Sequence, residues 1–361
     1  MSVRGHISPD SIRSEVSGRR VFACPDFFID HFVKYPRTYP DLLEDLDRIM
    51  RQKGGNILGT RQYIAKGGNA VNTAIALGRL GVSVTLFTKT DRIGHHLLGL
   101  FTEGLPVDLS LVGSEGSASI TAALEVFEEK GRLSNVMISD SGSLLTIGPE
   151  DISPRVESAI RSSDVVCFFN WAQTRRGTEI AKRVFSVAKE KKGCLTLIDV
   201  SDPSYRQEEI PSLIAQLFKS NLVDVLSLNE NELSRISKCL GMPSVEDPRS
   251  PSEFFLRSFS SALGCSVDYH DSDLSMSVSD GESVAVPSFE VSLERVTGAG
   301  DAWNAGDITG YLAGLDREDR LLLANATAGF YISNPRPAPP TLDEVVGFIE
   351  VTPRKKRYQR G

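Results

Sequence analysis

The chain of 361 residues is 40% hydrophobic and 24% charged, with 40 Lys and Arg against 47 Asp and Glu and a formal net charge of −7. It is long enough to bury a large core, has no apolar run near the ~18 residues of a membrane helix, and is too acidic overall for a general nucleic-acid binder. One large folded domain that engages neither membrane nor nucleic acid is predicted.

Residues 1–20 are polar, carry Arg4, Arg13, Arg19 and Arg20 without an apolar h-region, and read as an N-terminal extension with no signal peptide. Residues 21–24 read as a buried strand, and Asp26 and Asp30 follow it. Lys66-Gly67-Gly68-Asn69-Ala70-Val71-Asn72 then leads into a small-residue helix at 73–80, which Gly81 can end as a C′ residue. Asn69 and Asn72 lie three apart near that helix start, so they can point the same way and suit a polyhydroxylated ligand; capping the helix is the other use of such residues. A buried strand at 82–87 precedes the turn Lys89-Thr90-Asp91-Arg92-Ile93-Gly94. Segments 33–65 and 107–140 break the pattern, and in the second, alternating runs on either side of residues 128–131 predict a hairpin and hence a small β lid.

Strand-like runs at 165–169, 195–198 and 225–228 alternate with amphipathic segments at 178–191 and 212–219. This βαβ rhythm predicts a mainly parallel sheet covered on both faces, with ligands at the C-terminal ends of the strands. Polar residues collect there: Asn170 and Trp171, Asp199 and Asp202, and Asn229 to Glu232. Cys24, Cys167, Cys194, Cys239 and Cys265 form no C-x-x-C pair or zinc spacing, so reduced cysteines and a cytoplasmic location are expected, with a Cys239–Cys265 bridge as the one pairing left open.

Residues 289–293 alternate in the strand sense before Thr297-Gly298-Ala299-Gly300-Asp301, which opens a helix with apolar residues Ala302, Ala305, Ile308 and Leu312. Gly298 and Gly300 can adopt φ > 0 and let N–H groups converge on an anion at the positive helix end, with Asp301 beside it to accept a proton. An Asp N-cap after a Gly-rich turn fits the same five residues. Residues 351–361 form a basic, solvated tail.

The Gly67-Gly68-x-x-x-Asn72 run and the Gly298-Ala299-Gly300-Asp301 turn together resemble the two signatures of the PfkB, ribokinase-like carbohydrate kinases. The resemblance extends through Asp91 and Gly94, through Asp301 to Gly306 with Trp303 where Phe is commoner, and over most of residues 21–335. It implies an α/β ribokinase-like three-layer sandwich at 21–350, with a mainly parallel central sheet and a β lid at roughly 33–65 and 107–140. It further implies a kinase in which Asp301 is the base, with Gly298, Ala299 and Gly300 forming the anion hole. Asp30, Gly67, Gly68, Asn69 and Asn72 would bind the acceptor, and Asn229, Thr297, Gly298, Gly300 and Asn325 the nucleotide. Glu232, with Asn229, would order Mg²⁺ through water. ATP is the implied donor, with ADP not excluded and room for a monovalent cation. The acceptor is a sugar or nucleoside; family lids often form a dimer contact, so a homodimer through the lid is among the expectations. Asp202-Pro203-Ser204-Tyr205-Arg206 resembles the Asp-Pro-Asn-x-Arg stretch of sugar-acid kinases with Ser in place of Asn. Lys66, Arg175, Arg176 and Arg206 are candidate contacts for an anionic acceptor, and Phe27, Phe28 and Trp171 for a nucleoside base. His270 lies on the strand leading to the nucleotide loop. A ligand-binding regulator that kept the fold without catalysis is the non-enzyme alternative.

Overall fold

The run Val165-Val166-Cys167-Phe168-Phe169 is buried at every position, which requires cover on both faces of the sheet that holds it. The computed structural model, which describes residues 7–128, 133–243, 251–295 and 297–356, supplies that cover. Its strands are β1 (Arg20–Cys24), β2 (Phe28–Thr38), β3 (Arg61–Gly67), β4 (Ser83–Lys89), β5 (Val107–Gly113), β6 (Ser119–Phe127) and β7 (Leu133–Asp140), then β8 (Val165–Phe169), β9 (Leu195–Asp199), β10 (Val225–Leu228), β11 (Ser266–His270), β12 (Leu274–Ser279) and β13 (Glu282–Pro287). Nine of them form one sheet in the order β13-β12-β11-β10-β9-β8-β1-β4-β5. All its pairings from β5 to β11 are parallel, and β12 and β13 close one edge as antiparallel hairpin strands. One face packs on helices Asn69–Arg79, Ala299–Leu312 and Arg317–Ser333, the other on helices Pro154–Ser162, Gly177–Ala188 and Glu253–Leu263. The result is the three-layer α/β sandwich that the alternating runs predict.

The lid is a separate four-stranded sheet, β3-β2-β6-β7. Register places Asp30, Phe32, Tyr63, Thr121 and Ala123 on one of its faces and Ile64, Ile120, Val136 and Ile138 on the other. The Asp30 face is turned toward the body, where Tyr63 lies in the field of Arg295. Helix Tyr39–Arg51, inserted between β2 and β3, covers the far end of the opposite face, Leu42 packing on Tyr35 and Val126.

Several boundaries differ from expectation, each for a packing reason. Residues 107–113 form β5 and pair with β4, so the second lid segment starts at Ser119. The supposed polar extension contains helix Pro9–Val16, whose Ile12 and Val16, one turn apart, are core residues. Residues 289–293 form no strand: β13 ends at Pro287, and Phe289 makes a single bridge to Arg354. That bridge, with Lys355 bonded to Asp273 and to the Ser272 carbonyl, docks the start of the C-terminal tail onto the body. Residues 1–6, most of the hairpin tip (129–131) and Arg357 and Arg360 of the tail lie outside the described residues. All five cysteines are free, and among the described residues no helix is long and apolar enough to cross a membrane.

Candidate active site

Helix Ala299–Leu312 begins at Gly298, which adopts φ +83°. A Cβ there would also lie 3.0 Å from the Tyr331 hydroxyl, so both backbone and neighbour demand glycine. Gly300, by contrast, lies within the first helical turn and is absent from the positive-φ residues; the expectation of φ > 0 at both glycines is corrected to Gly298 alone. The N–H groups of Ala299, Gly300 and Asp301 precede the first intrahelical bond, Ala302 N–H to Gly298 O, and so remain to bind an anion. Thr297 flanks the turn and is exposed.

Asp301 is buried, and its Oδ2 accepts from Asn72 Nδ2 at 2.9 Å. Burial first, then the charges of Asp199 and Asp26, push Asp301 well above the ordinary carboxylate range; the Asn72 bond and Lys66 pull it back. A carboxyl raised in this way is better matched to taking a proton near neutral pH than an exposed aspartate.

Asn72 is free for this contact because another residue caps its helix. Helix Asn69–Arg79 starts one turn earlier than predicted, and Asp26, projecting from the loop after β1, accepts from the N–H groups of Asn69 and Ala70 at 2.8 Å each and from Asn170 Nδ2 at 2.9 Å. Asp26 is thus the helix anchor. Asp30, on the inner face of the lid, stands over Gly67: a Cβ at Gly67 would lie 2.3 Å from Asp30 Oδ1. Burial raises Asp30 to about 6, against the pull of Lys66 and the Thr121 hydroxyl. Gly68 adopts φ +91° beside Asp26 and turns the chain from lid to helix. Lys66 Nζ donates to Asn72 Oδ1 at 2.7 Å.

At the neighbouring strand ends lie more carboxylates. Asp199 ends β9 and accepts from Asn304 Nδ2 at 2.8 Å, while Ser227 donates to Asn304 Oδ1 at 2.6 Å. Asn304 sits three residues after Asp301, on the same side of its helix; its signal in the sequence was a lone amide in a run of small buried residues. Asn229 and Glu232 form a reciprocal cap: Asn229 Oδ1 accepts from the N–H groups of Asn231 and Glu232, and Glu232 accepts from the Asn229 backbone and Nδ2. Glu232 is nevertheless buried, and burial followed by the field of Asp199 raises it well above the usual range. A buried all-oxygen set of one sign, crossed by the partnerless Asn170 Oδ1 and Ser201 Oγ, fits a hard cation. Among the described residues no group of three or more His, Cys, Asp or Glu side chains is placed to hold a metal ion by itself.

Other candidates have internal duties. Asn325 accepts from Trp303 Nε1 at 2.9 Å and donates to the Val286 and Pro287 carbonyls, tying helix Arg317–Ser333 to β13. His270 stacks on Trp303 at 4.5 Å and faces Gly300, with Nε2 unpartnered; burial lowers it to about 4, so it is neutral at pH 7. Asp91 caps the helix at Arg92–Phe101 by accepting from the Gly94 N–H.

Phe27, Phe28 and Trp171 are core residues at 4% exposure or less, which removes them as contacts for a base. The aromatic pair that does stand on the inner lid face is Phe32 and Tyr63, stacked at 4.8 Å. Their pairing depends on the β2–β3 register across a 22-residue insertion, and nothing local in the sequence announces it.

Arg206 is likewise no anion site. Its guanidinium lies 4.3 Å over the Trp171 ring and donates to the carbonyls of Trp171, Thr174 and Arg175 and to Glu209. Arg176 pairs with Glu150. Arg206→Met is expected to cost about 2 kcal/mol of stability, from lost carbonyl bonds and cation–π contact, while leaving the ranking of acceptors unchanged. Urea unfolding and an acceptor competition assay read the two effects separately.

Residues 41–343 match the family described as pfkB family carbohydrate kinase. A 5-dehydro-2-deoxygluconokinase of Bacillus anthracis is 24% identical over 296 residues, spanning 79% of this chain and 85% of that protein. Among solved structures, Arabidopsis thaliana ribokinase complexed with ribose and ATP superposes with a TM-score of 0.70 at 20% identity, covering 92% of this chain and 98% of the ribokinase. Adenosine kinase from Sinorhizobium meliloti superposes at 0.69 and 20% identity, covering 91% and 97%.

Proposed function

This chain belongs to the pfkB family of carbohydrate kinases, phosphotransferases acting on a sugar hydroxyl, and we propose that it moves the terminal phosphoryl group of ATP to a sugar acceptor held between Asp30 and Asp301. The observation that carries this reading is the placement of Asp301: a buried carboxyl at a helix start, oriented by Asn72, beside the N–H groups of Ala299 and Gly300. As the acceptor oxygen bonds to the γ-phosphorus, the bond from that phosphorus to the ADP oxygen breaks and the hydroxyl proton passes to Asp301. The helix-start amides face the charge on the transferring group, so the protein contributes positioning and electrostatics. Asp30 and the backbone of Gly67 and Gly68 orient the sugar, and the lid excludes water that would otherwise take the phosphoryl group. Glu232 and Asn229 would hold Mg²⁺ through water, and the ion would supply neutralisation of the donor phosphates. Thr297 and Asn325 border the nucleotide, Asn325 as the support of that wall.

The stacked Phe32 and Tyr63 beside Asp30 favour one second reading, a nucleoside acceptor whose base lies on that pair. The exposed Ile64, Ile120, Val136 and Ile138 on the outer lid face support a homodimer through the lid. A panel of pentoses, hexoses, sugar acids, sugar phosphates and nucleosides, assayed for ADP release with ATP and for AMP release with ADP, decides among acceptors and donors. Acceptor-dependent turnover is expected with ATP and a free sugar or sugar acid; turnover with nucleosides alone would move the assignment to the second reading. Binding across the panel without turnover would leave a silent ligand-binding regulator.

A further inference from the structure

Lys66 lies at the seam between lid and body, next to last in β3. Its ammonium donates to Asn72 Oδ1 at 2.7 Å, and Asn72 Nδ2 donates to Asp301 Oδ2 at 2.9 Å. The polarity of this relay has one solution. An ammonium only donates and an ionised carboxylate only accepts. The Asn72 carbonyl must therefore face Lys66 and its NH₂ must face Asp301; reversing the amide would set donor against donor at one end and acceptor against acceptor at the other. With Oδ2 held in this way, the second carboxylate oxygen of Asp301 is left for the acceptor hydroxyl.

We propose that Lys66 is a positioning residue for phosphoryl transfer: through Asn72 it fixes the orientation of Asp301, and its charge sets the pH range in which Asp301 serves as base. The inference rests on the reading of Asp301 as the base. The charged groups that face Asp301 are Asp199 at the end of β9, Asp26 after β1, Lys66 from β3 and the Tyr331 phenol from helix Arg317–Ser333, with Arg295 behind that phenol. Those that face Lys66 are Asp301 and Asp30. Among the described residues, Lys66 is the cation whose charge acts directly on Asp301, against Asp199 and Asp26.

The signs follow from these neighbours. Asp301 is raised by burial, Asp199 and Asp26, and Lys66 opposes the rise; removing the ammonium lifts Asp301 further and moves the acid limb of kcat/KM to higher pH. Lys66 is itself lowered by burial to about 8, against the pull of Asp301 and Asp30. Activity therefore falls on the alkaline side as its charge is lost, and a guanidinium in its place postpones that fall.

Lys66→Met is expected to lower kcat at pH 7 by about ten- to a hundredfold, to move the acid limb upward by about one pH unit, and to leave the KM for ATP within about twofold. Lys66→Arg is expected to keep the wild-type acid limb and to shift the alkaline limb upward. A Lys66→Met enzyme that melts lower but keeps the wild-type acid limb would overturn the proposal, since a merely structural lysine has that signature. If Lys66→Met does not fold, an unmoved alkaline limb in Lys66→Arg overturns it instead. Asp301→Asn in the same assay separates the two ideas: wild-type turnover there defeats the base assignment, whereas loss of turnover with unshifted Lys66 profiles defeats only the relay.

Discussion

Asp301→Asn is expected to lose on the order of 10³-fold or more in kcat while keeping its fold and its affinity for ATP. The new amide can still present an oxygen to Asn72 Nδ2, now 2.9 Å from the carboxylate, so the relay survives without the proton acceptor. The same substitution is expected to raise the melting temperature at pH 7. Asp301 is raised well above the ordinary carboxylate range in the folded state, burial being the largest cause. A group of this kind contributes stability that is full below its unfolded value and is lost as pH rises through the folded one. As pH rises above the unfolded value the wild type thus carries a growing cost that the amide lacks, and the gain should vanish as pH falls below about 4, where the unfolded carboxyl is protonated as well. Activity and stability then move in opposite directions at one residue, as expected of a functional group held in an unfavourable setting. Differential scanning calorimetry at pH 7 and pH 4 beside single-turnover kinetics reads both; a difference in melting temperature between variant and wild type that is the same at the two pH values would contradict the electrostatic account.

Gly67→Ala is the second large effect, and it acts on the acceptor rather than on the base. The added Cβ would stand 2.3 to 2.4 Å from the Asp30 carboxyl atoms. Strand pairing of Gly67 with Phe28 holds the backbone, so the Asp30 side chain must swing out of place. Losing the charge-assisted bonds that Asp30 offers to sugar hydroxyls, each worth about 1.5–3 kcal/mol, is expected to raise the acceptor KM on the order of 10²-fold. The KM for ATP should stay near wild type, because the phosphate turn lies on another element. Isothermal titration with the acceptor and with ATP distinguishes this outcome from general unfolding, which would weaken both.

Much of the fold was legible in the sequence because buried parallel strands and the small-residue helices have strong local signatures. The runs at 165–169, 195–198 and 225–228 read as buried strands covered on both sides, and Gly81, at φ +88°, does end the helix that the sequence assigned to it. The site's two anchor turns were legible for a similar reason: Gly298 and Gly68, at φ +83° and +91°, answer to local geometry that a sequence can hint at. What stayed hidden depended on contacts distant in sequence. Asp26, 43 residues from Asn69 along the chain, takes over the capping that Asn69 and Asn72 were positioned to perform, and only that substitution frees Asn72 for Asp301. Arg206 read either as a contact for an anionic acceptor or as the partner of a surface acid, and Glu209 is that acid; the carbonyls of Trp171, Thr174 and Arg175 that complete its bonding come from the end of another strand and stayed hidden. Residues 1–20 read as polar although Ile12 and Val16 carry a one-turn apolar spacing, too short to rise above the surrounding charge. The segment at 289–293 alternated correctly but lacked a strand to pair with, and alternation alone does not make a sheet.

The central claim is that Asp301 takes the proton of an acceptor hydroxyl that Asp30 and the Gly67 turn hold in line with ATP. Phosphorus NMR of the wild type and Asp301→Asn, each given ATP, Mg²⁺ and the acceptor selected by the panel, tests it most directly. The account predicts a phosphomonoester resonance that grows in step with ADP in the wild type and stays at background in Asp301→Asn, with ATP still bound by both. A phosphomonoester formed at equal rates by the two proteins would contradict it.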